Sequence, residues 1–128
     1  MAAMSNYLEN ALINATLRNT SYTTPSTVYV GLYTTDPTDA NTGTEVTGGS
    51  YTRKAATFGA PSNGVSTISS AIEFDQATAS WGTVAYFGIL DASTSGNLLY
   101  HGALTASKTI DTGDVFKFAT SALTVTLA

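Results

Sequence analysis

Cysteine is absent from this chain of 128 residues, which excludes disulfide bonds and thiolate ligands for a metal. Histidine and tryptophan each occur once, as His101 and Trp81. A catalytic triad or a histidine-based metal centre requires specific partners for His101, and neither a second histidine nor a Gly-x-Ser-x-Gly motif supplies them. The sequence therefore predicts a protein that is not an enzyme and has no cofactor or metal.

Charged residues are also scarce, at 11% of the chain, with five Lys and Arg against nine Asp and Glu. The net charge of −4 argues against nucleic-acid binding, which requires a basic face to neutralise phosphates. No apolar run approaches the 18 residues of a membrane span. The start, MAAMSNYLEN, lacks the basic and apolar regions of a signal peptide, so we expect assembly in the cytoplasm. Met1 and Met4 both remain candidates for the native start.

Threonine and serine supply most of the polarity. Because threonine is β-branched, this composition favours sheet over helix. One helix is nevertheless predicted over residues 6–18, where Leu8, Ala11, Leu12 and Ala15 share a face. Asn6 is the expected N-terminal cap, assisted by Glu9 three residues later. Asn19 is expected to end the helix in a left-handed conformation. Ile13 and Leu17 would widen the apolar stripe and favour contact on more than one side.

After Pro25 the apolar period changes from helical spacing to two, which is typical of strands. The expected strands are residues 27–35, 51–58, 65–68, 71–74, 83–90, 98–103, 115–118 and 123–127, and the last of them is expected to close the sheet. The run 83–90 is the most apolar and is predicted to be central, paired as a hairpin with 98–103. A second hairpin is predicted between 108–110 and 115–118. The sequence thus predicts an all-β single domain over residues 1–128, an antiparallel β-sandwich or barrel of about eight short strands.

Residues 36–50 have no apolar period and are predicted to form a long loop or exposed arm. Asp36, Asp39 and Glu45 lie in it, but their spacing does not match an EF-hand, so calcium binding is not favoured. The glycines of this loop do not open into a helix, as a phosphate-binding loop requires. Arg53 and Lys54 follow on a strand and should point to opposite faces, so that one could pair with an acidic neighbour.

Aromatic residues and the single histidine leave alternatives open. Trp81 and Tyr51, with Tyr29, Tyr33 and Tyr86, could line a sugar-binding surface, but packing in the core or at a subunit interface is the favoured interpretation. For His101 we expect a backbone hydrogen bond or exposure to solvent. A pH-sensitive contact between subunits is the alternative, because histidine titrates near neutral pH.

The order of several segments resembles a family of small all-β virion proteins of tailed bacteriophages, some of them from cyanophages. The segments are RNTSYTTPSTVYVGLYTTDPT, GTEVTGGSYTRKAATFGAP, IEFDQATASWGTVAYFGILDA, GNLLYHGAL and GDVFKFATSALTVTLA. They cover nearly the whole chain, but they are turns and strands rather than catalytic motifs. The resemblance implies no catalytic residue.

The resemblance implies a structural role in the virion. Relatives are often labelled tail-fibre-like, and some are similar to cement or decoration proteins that bind as homotrimers over the capsid. We therefore expect a capsid cement protein whose partner is the major capsid protein. The alternative is a tail, baseplate or fibre component that contacts a receptor or glycan. Eight residues are the predicted interface: Leu8, Leu12, Asp36, Asp39, Glu45, Tyr51, Arg53 and Trp81.

Overall fold

The computed structural model describes residues 2–127 and confirms the all-β prediction. One helix, α1 (Asn6–Leu17), accompanies nine short strands within these residues. The strands are β1 (Ala3–Met4), β2 (Val28–Tyr33), β3 (Lys54–Ala56), β4 (Val65–Thr67), β5 (Ile72–Glu73), β6 (Gly82–Leu90), β7 (Leu98–Ile110), β8 (Lys117–Phe118) and β9 (Thr124–Thr126).

The main sheet has five strands in the order β1-β7-β6-β2-β3, and every pair is antiparallel. The apolar strand β6 lies at its centre, as predicted, because a strand paired on both edges needs side chains that tolerate burial. β6 and β7 form the predicted hairpin, in which Leu90 lies opposite Leu98. Two ribbons, β4 with β9 and β5 with β8, pack their apolar side chains with one face of this sheet.

Three predicted strand arrangements are wrong. Residues 108–110 do not turn back on 115–118 but continue β7 and pair with residues 82–84 of β6. β8 pairs instead with β5, and β9 pairs with β4 rather than closing the main sheet. In the segment 51–58 only Lys54–Ala56 is a strand. Alternation of apolar residues determines which face a side chain takes, but it does not determine the partner strand.

The aromatic core joins the β5–β8 ribbon to the main sheet. Phe74 follows β5 and lies edge-to-face with Phe116, with ring centroids 5.8 Å apart, and stacks on Tyr51 at 6.1 Å. Phe118 of β8 lies edge-to-face with Phe87 of β6, at 6.4 Å. Edge-to-face and offset stacked rings at such separations are favourable beyond the area that they bury. These contacts between distant segments hold the two layers together.

The cap of α1 differs from the prediction. Ser5, not Asn6, is the N-terminal cap, and its side chain accepts a hydrogen bond from the backbone N–H of Leu8 at 3.2 Å. The predicted pairing of Glu9 with the cap is therefore wrong, because the third helical position is Leu8. Ser5 is buried and its hydroxyl also donates to the carbonyl of Leu98. This tertiary contact moves the start of the helix one residue earlier than the side-chain pattern suggests.

Replacing Ser5 by alanine is expected to lower the free energy of unfolding by about 1–2 kcal/mol, because the cap and a buried hydrogen bond are lost together. Replacing Asn6 by alanine is expected to change it by less than about 0.5 kcal/mol, as for other surface substitutions. Urea denaturation of both variants measures the difference. An equal loss in the two variants would contradict the assignment of Ser5 as the cap.

The rest of α1 is only partly covered by the sheet. Leu8 is buried, while Ala11, Leu12 and Ala15 are half-buried. Its packing within the subunit is mainly with β7. The helix ends before Asn19, whose φ of 52° confirms the predicted left-handed conformation. A helix that rests on one strand leaves its outer side available for other contacts.

Candidate interaction surfaces

A polar network of Glu45, Tyr51 and Arg53 joins the segment 36–50 to the residues that follow it. Arg53 donates two parallel hydrogen bonds to the carboxylate of Glu45, each 2.8 Å long. The Tyr51 hydroxyl donates to the same carboxylate at 2.7 Å and accepts from the backbone N–H of Leu32 at 2.9 Å. Charged pairs of this two-pronged geometry are among the stronger polar contacts in proteins. Three residues of the predicted interface are therefore joined inside the subunit.

Gly31 leaves the space that this network occupies. A Cβ atom at position 31 would lie 2.8 Å from Oε2 of Glu45 and 3.2 Å from the Tyr51 hydroxyl. Real side chains do not tolerate the shorter distance, so a larger residue at position 31 would displace the carboxylate. The glycine in VYVGLY thus has a packing role that the strand pattern alone did not indicate.

Arg53 also connects the network to a second loop. Its remaining guanidinium nitrogen donates to the backbone carbonyls of Ala92, at 2.9 Å, and Ser95, at 2.8 Å. The hydrogen bond to Glu45 raises the pKa of Arg53, so its guanidinium group stays charged. The neighbouring Lys54 points the other way and pairs with Asp75 at 2.9 Å. Arg53 and Lys54 therefore both have an acidic partner, where the sequence predicted a partner for one of them.

The segment 36–50 is thus anchored along its length instead of extending as an exposed arm. Pro37 and Val46 are buried, and the backbone N–H of Val46 donates to the carbonyl of Leu32 at 2.9 Å. Tyr33 is buried beside it, and its hydroxyl donates to the Asn41 side chain at 3.2 Å. The sequence indicated a pliable loop because its polar residues show no apolar period. Some of these polar residues are held by partners outside the segment, as Asn41 is by Tyr33 and Glu45 is by Arg53.

Tyr33 makes stability depend on pH in the alkaline range. Burial, and secondarily Glu45, raises the pKa of Tyr33 from 10.0 to about 12. The folded state favours the neutral phenol of Tyr33. Its contribution to the free energy of unfolding is therefore complete below pH 10 and is lost as the pH rises towards 12. Tyr33→Phe is therefore expected to flatten the fall of unfolding free energy across that interval. Urea denaturation between pH 8 and pH 12 tests this, and an unchanged slope would contradict it.

Asp36, Asp39 and His101 are brought together on the surface. Nε2 of His101 lies 2.7 Å from Oδ1 of Asp39, and its Nδ1 lies 3.8 Å from Oδ1 of Asp36. The backbone carbonyl of Asp39 accepts from the N–H of Asn6 at 2.9 Å, so the same loop residue holds the start of α1. His101 thus has a carboxylate partner within its own subunit, which neither of the sequence interpretations specified.

The outer side of α1 carries exposed apolar side chains. Ile13 is 52% exposed and Leu17 is 78% exposed, and they lie four residues apart on one side of the helix. We call this pair the α1 stripe. Single exposed apolar side chains are common on soluble proteins. Two that are neighbours on the surface of a partly covered helix form a small apolar patch. The stripe is the clearest apolar contact surface among the helical residues.

The predicted interface residues therefore have different positions. Leu8 and Trp81 are buried within the subunit, and the indole N–H of Trp81 donates to the carbonyl of Gly49 at 2.9 Å. Glu45, Tyr51 and Arg53 form the internal network, while Asp36 and Asp39 are exposed beside His101. Leu12 is half-buried next to the α1 stripe. Contact of Leu12, Asp36 and Asp39 with another protein stays a prediction.

Neither a metal centre nor a membrane-spanning helix is present within residues 2–127. No group of three or more His, Asp and Glu side chains there is arranged to hold a metal ion. α1 is too short and too polar to cross a membrane, and it is the sole helix of that part of the chain.

The fold and these contacts define a small all-β protein with one helix packed on strand β7 of its sheet. The chain belongs to the family described as podophage GP4 fiber I protein gp80, whose model matches residues 3–126. No curated protein matches the chain. The family confirms the expectation of a phage virion protein. Its description names a fibre, which agrees with the alternative of the sequence analysis better than with a capsid cement protein.

Proposed function

We propose that this protein is a structural subunit of a phage tail fibre. The observation that carries the proposal is the family match over residues 3–126, which includes every strand and the helix. The name of the family refers to a podophage fibre. A structural role also agrees with the polar contacts of the protein. The hydrogen bonds and ion pairs of Glu45, Tyr51, Arg53 and His101 connect parts of its own chain.

The internal contacts support a subunit whose surface loops have a defined shape. Arg53 ties the segment 36–50 to the loop after β6, and Asp39 ties it to α1. A surface that is ordered before assembly loses less conformational entropy when it binds a partner. This is the property that we expect of a component that packs repeatedly in a particle.

Localisation and copy number test the proposed function. Antibody labelling of virions is expected to place the protein on the tail, and quantitative mass spectrometry is expected to find a low copy number relative to the major capsid protein. Label distributed over the head, with a copy number comparable to that of the capsid subunits, would contradict a fibre.

The capsid cement hypothesis is the competing proposal, and it rests on the resemblance of the sequence segments to cement proteins. It predicts that the protein binds the major capsid protein and stabilises the head. Particles prepared with and without the protein would then rupture at different temperatures. Equal rupture temperatures, together with tail labelling, would leave the fibre proposal as the better one.

We also propose that the subunit forms a homotrimer through the α1 stripe. Closed symmetric assemblies are the usual form of homo-oligomers, and each copy would bury its exposed Ile13 and Leu17. The double variant Ile13→Ser/Leu17→Ser is expected to sediment as a monomer while the wild type sediments as a trimer. Val115→Ser, which removes an exposed apolar side chain from the segment before β8, is the matched control. A wild-type monomer, or a trimer that persists in the double variant, would contradict the proposal.

A further inference from the structure

A groove separates β7 from β8 and from the segment before β9. Its volume is about 390 Å³, within the range of ligand-binding clefts in proteins. Apolar side chains line it, among them Phe87, Leu104, Phe116 and Leu123, while Lys108 and Lys117 contribute its basic groups. We call it the β7–β8 groove. It lies away from the network of Arg53 and from the α1 stripe.

One wall of the groove is an irregular part of β7. Val84 lies opposite Lys108, and Tyr86 lies opposite Ala103, so Ala85 alone faces residues 104–107. These four residues form an irregular β-bulge, and none of them has a partner in the register with β6. On its other edge β7 is paired with β1 only at Tyr100 and His101, so residues 102–110 have no strand partner on that edge within residues 2–127. The edge of β7 at the bulge is therefore open to a further strand.

The opposite wall also has an open strand edge. β8 pairs on one side with β5, and no strand among residues 2–127 pairs with its other side. Unpaired strand edges are templates for the addition of a further strand. An extended segment that lies in the groove can thus find backbone partners at its walls and apolar side chains beneath it.

The charge of the groove is opposite to that of the whole protein. Arg53 and Lys54 are engaged in ion pairs, but Lys108 and Lys117 are in none within the described residues. Nζ of Lys108 lies 5.8 Å from the centroid of the Phe116 ring, which positions the ammonium group over the groove. A partner with carboxylates would therefore be attracted to this surface of a chain whose net charge is −4.

We infer that the β7–β8 groove binds an extended acidic segment of another virion protein, which pairs its backbone with the β7 bulge. This is recognition by strand addition, in which backbone hydrogen bonds give affinity and alternate side chains give specificity. Apolar side chains of the segment would pack on the half-buried Leu104, and its carboxylates would meet Lys108 and Lys117. The inference rests on the proposed function only for the virion origin of the partner.

A second copy of this chain fits the groove less well. Among the described strands only β5 contains a carboxylate, Glu73, and β5 is already paired with β8. A sugar fits less well too, because Phe87, Phe116 and Phe118 are buried and do not offer exposed ring faces for stacking. The combination of open backbone, apolar floor and two lysines favours an acidic peptide.

The test uses the full chain and two synthetic octapeptides with blocked ends. In the acidic probe, valine alternates with glutamate or threonine; in the basic probe, lysine replaces each glutamate. Titration is followed through the backbone amide resonances. We expect the acidic probe to shift residues 102–108 and Lys117 and to bind at least about tenfold more tightly than the basic probe. Lys108→Glu/Lys117→Glu is expected to reverse this preference, whereas Arg18→Glu, on the exposed end of the helix, should retain it.

A further variant tests the role of the backbone. Ala106→Pro removes an N–H donor from the exposed bulge and is expected to weaken binding of both probes, with the amide spectrum of the core unchanged. Equal affinity for the two probes, or shifts confined to other surfaces, would overturn the inference. Self-association of the free protein that the double lysine variant abolishes would overturn it in favour of a second copy. Tail localisation is measured separately, so the two proposals can fail independently.

Discussion

Phe74→Ala is expected to lower the free energy of unfolding by about 4 kcal/mol, the largest effect of any substitution considered for this protein. Phe74 is 1% exposed, and its ring contacts Tyr51 from one layer and Phe116 from the other. Truncation would remove the apolar contacts and leave a cavity that the surrounding rings cannot fill completely. Urea denaturation followed by Trp81 fluorescence measures the loss, because Trp81 lies in the same cluster.

Tyr7→Ala is the matched control for this prediction. It also removes a large aromatic ring, but Tyr7 is exposed on α1, so we expect a change of less than about 1 kcal/mol. Phe74→Leu should retain a good part of the stability, since leucine keeps most of the apolar volume. Similar losses for Phe74→Ala and Tyr7→Ala would contradict the central position of Phe74 in the core.

Arg53→Met is expected to destabilise the subunit by about 3 kcal/mol, because it leaves the Glu45 carboxylate without its cationic partner in a poorly hydrated position. The side chains of Arg53 and Glu45 are only 10% and 21% exposed. The same change also removes the hydrogen bonds to Ala92 and Ser95. Faster amide exchange in residues 36–50 and 91–97 is expected in this variant.

Lys54→Met is a control from the adjacent position in the chain. Lys54 and Asp75 also form an ion pair, but their side chains are 28% and 57% exposed, and exposed pairs contribute about 1 kcal/mol or less. Both changes replace a basic residue by methionine, so they differ mainly in burial. Comparable destabilisation by the two variants would show that the Arg53 network contributes no more to stability than an exposed ion pair does.

The contrast between these two pairs matters for the proposed assembly role. If the Arg53 network holds residues 36–50 in place, the variant that loses it should assemble poorly even when its core remains folded. The predicted interface residues Glu45, Tyr51 and Arg53 would then act by shaping the surface instead of touching a partner. Exposed neighbours such as Asp36 and Asp39 remain the candidates for direct contact.

The strands could be predicted from sequence more completely than their pairing. The apolar run of β6 and the turn after it predicted the β6–β7 hairpin, because both signals are local. Residues 108–110 and 115–118 carried equally good signals for a hairpin, yet β8 pairs with β5. Pairing between distant segments depends on side-chain packing across the core, such as that of Phe74 with Phe118, and local patterns do not encode it.

The surface sites were less predictable for the same reason. His101 and Asp39 are separated by 62 positions in the chain and meet only because the loop returns to β7. The lysines of the β7–β8 groove belong to segments that the sequence interpretation paired with each other as a hairpin. Burial of Trp81 and Leu8 likewise depends on which elements cover them, so their prediction as contact residues could not be checked from spacing alone.

The sequence by itself determined the all-β class, the single helix and the absence of cysteine chemistry, because these follow from composition and from periodicity within a few residues. Its order of segments also indicated a phage virion protein. Only the tertiary structure decided that residues 36–50 are anchored, that Ser5 caps α1, and that β7 and β8 leave an open basic groove. Each of these depends on hydrogen bonds, ion pairs or strand edges between segments far apart in the chain, whose meeting is determined by packing of the whole core.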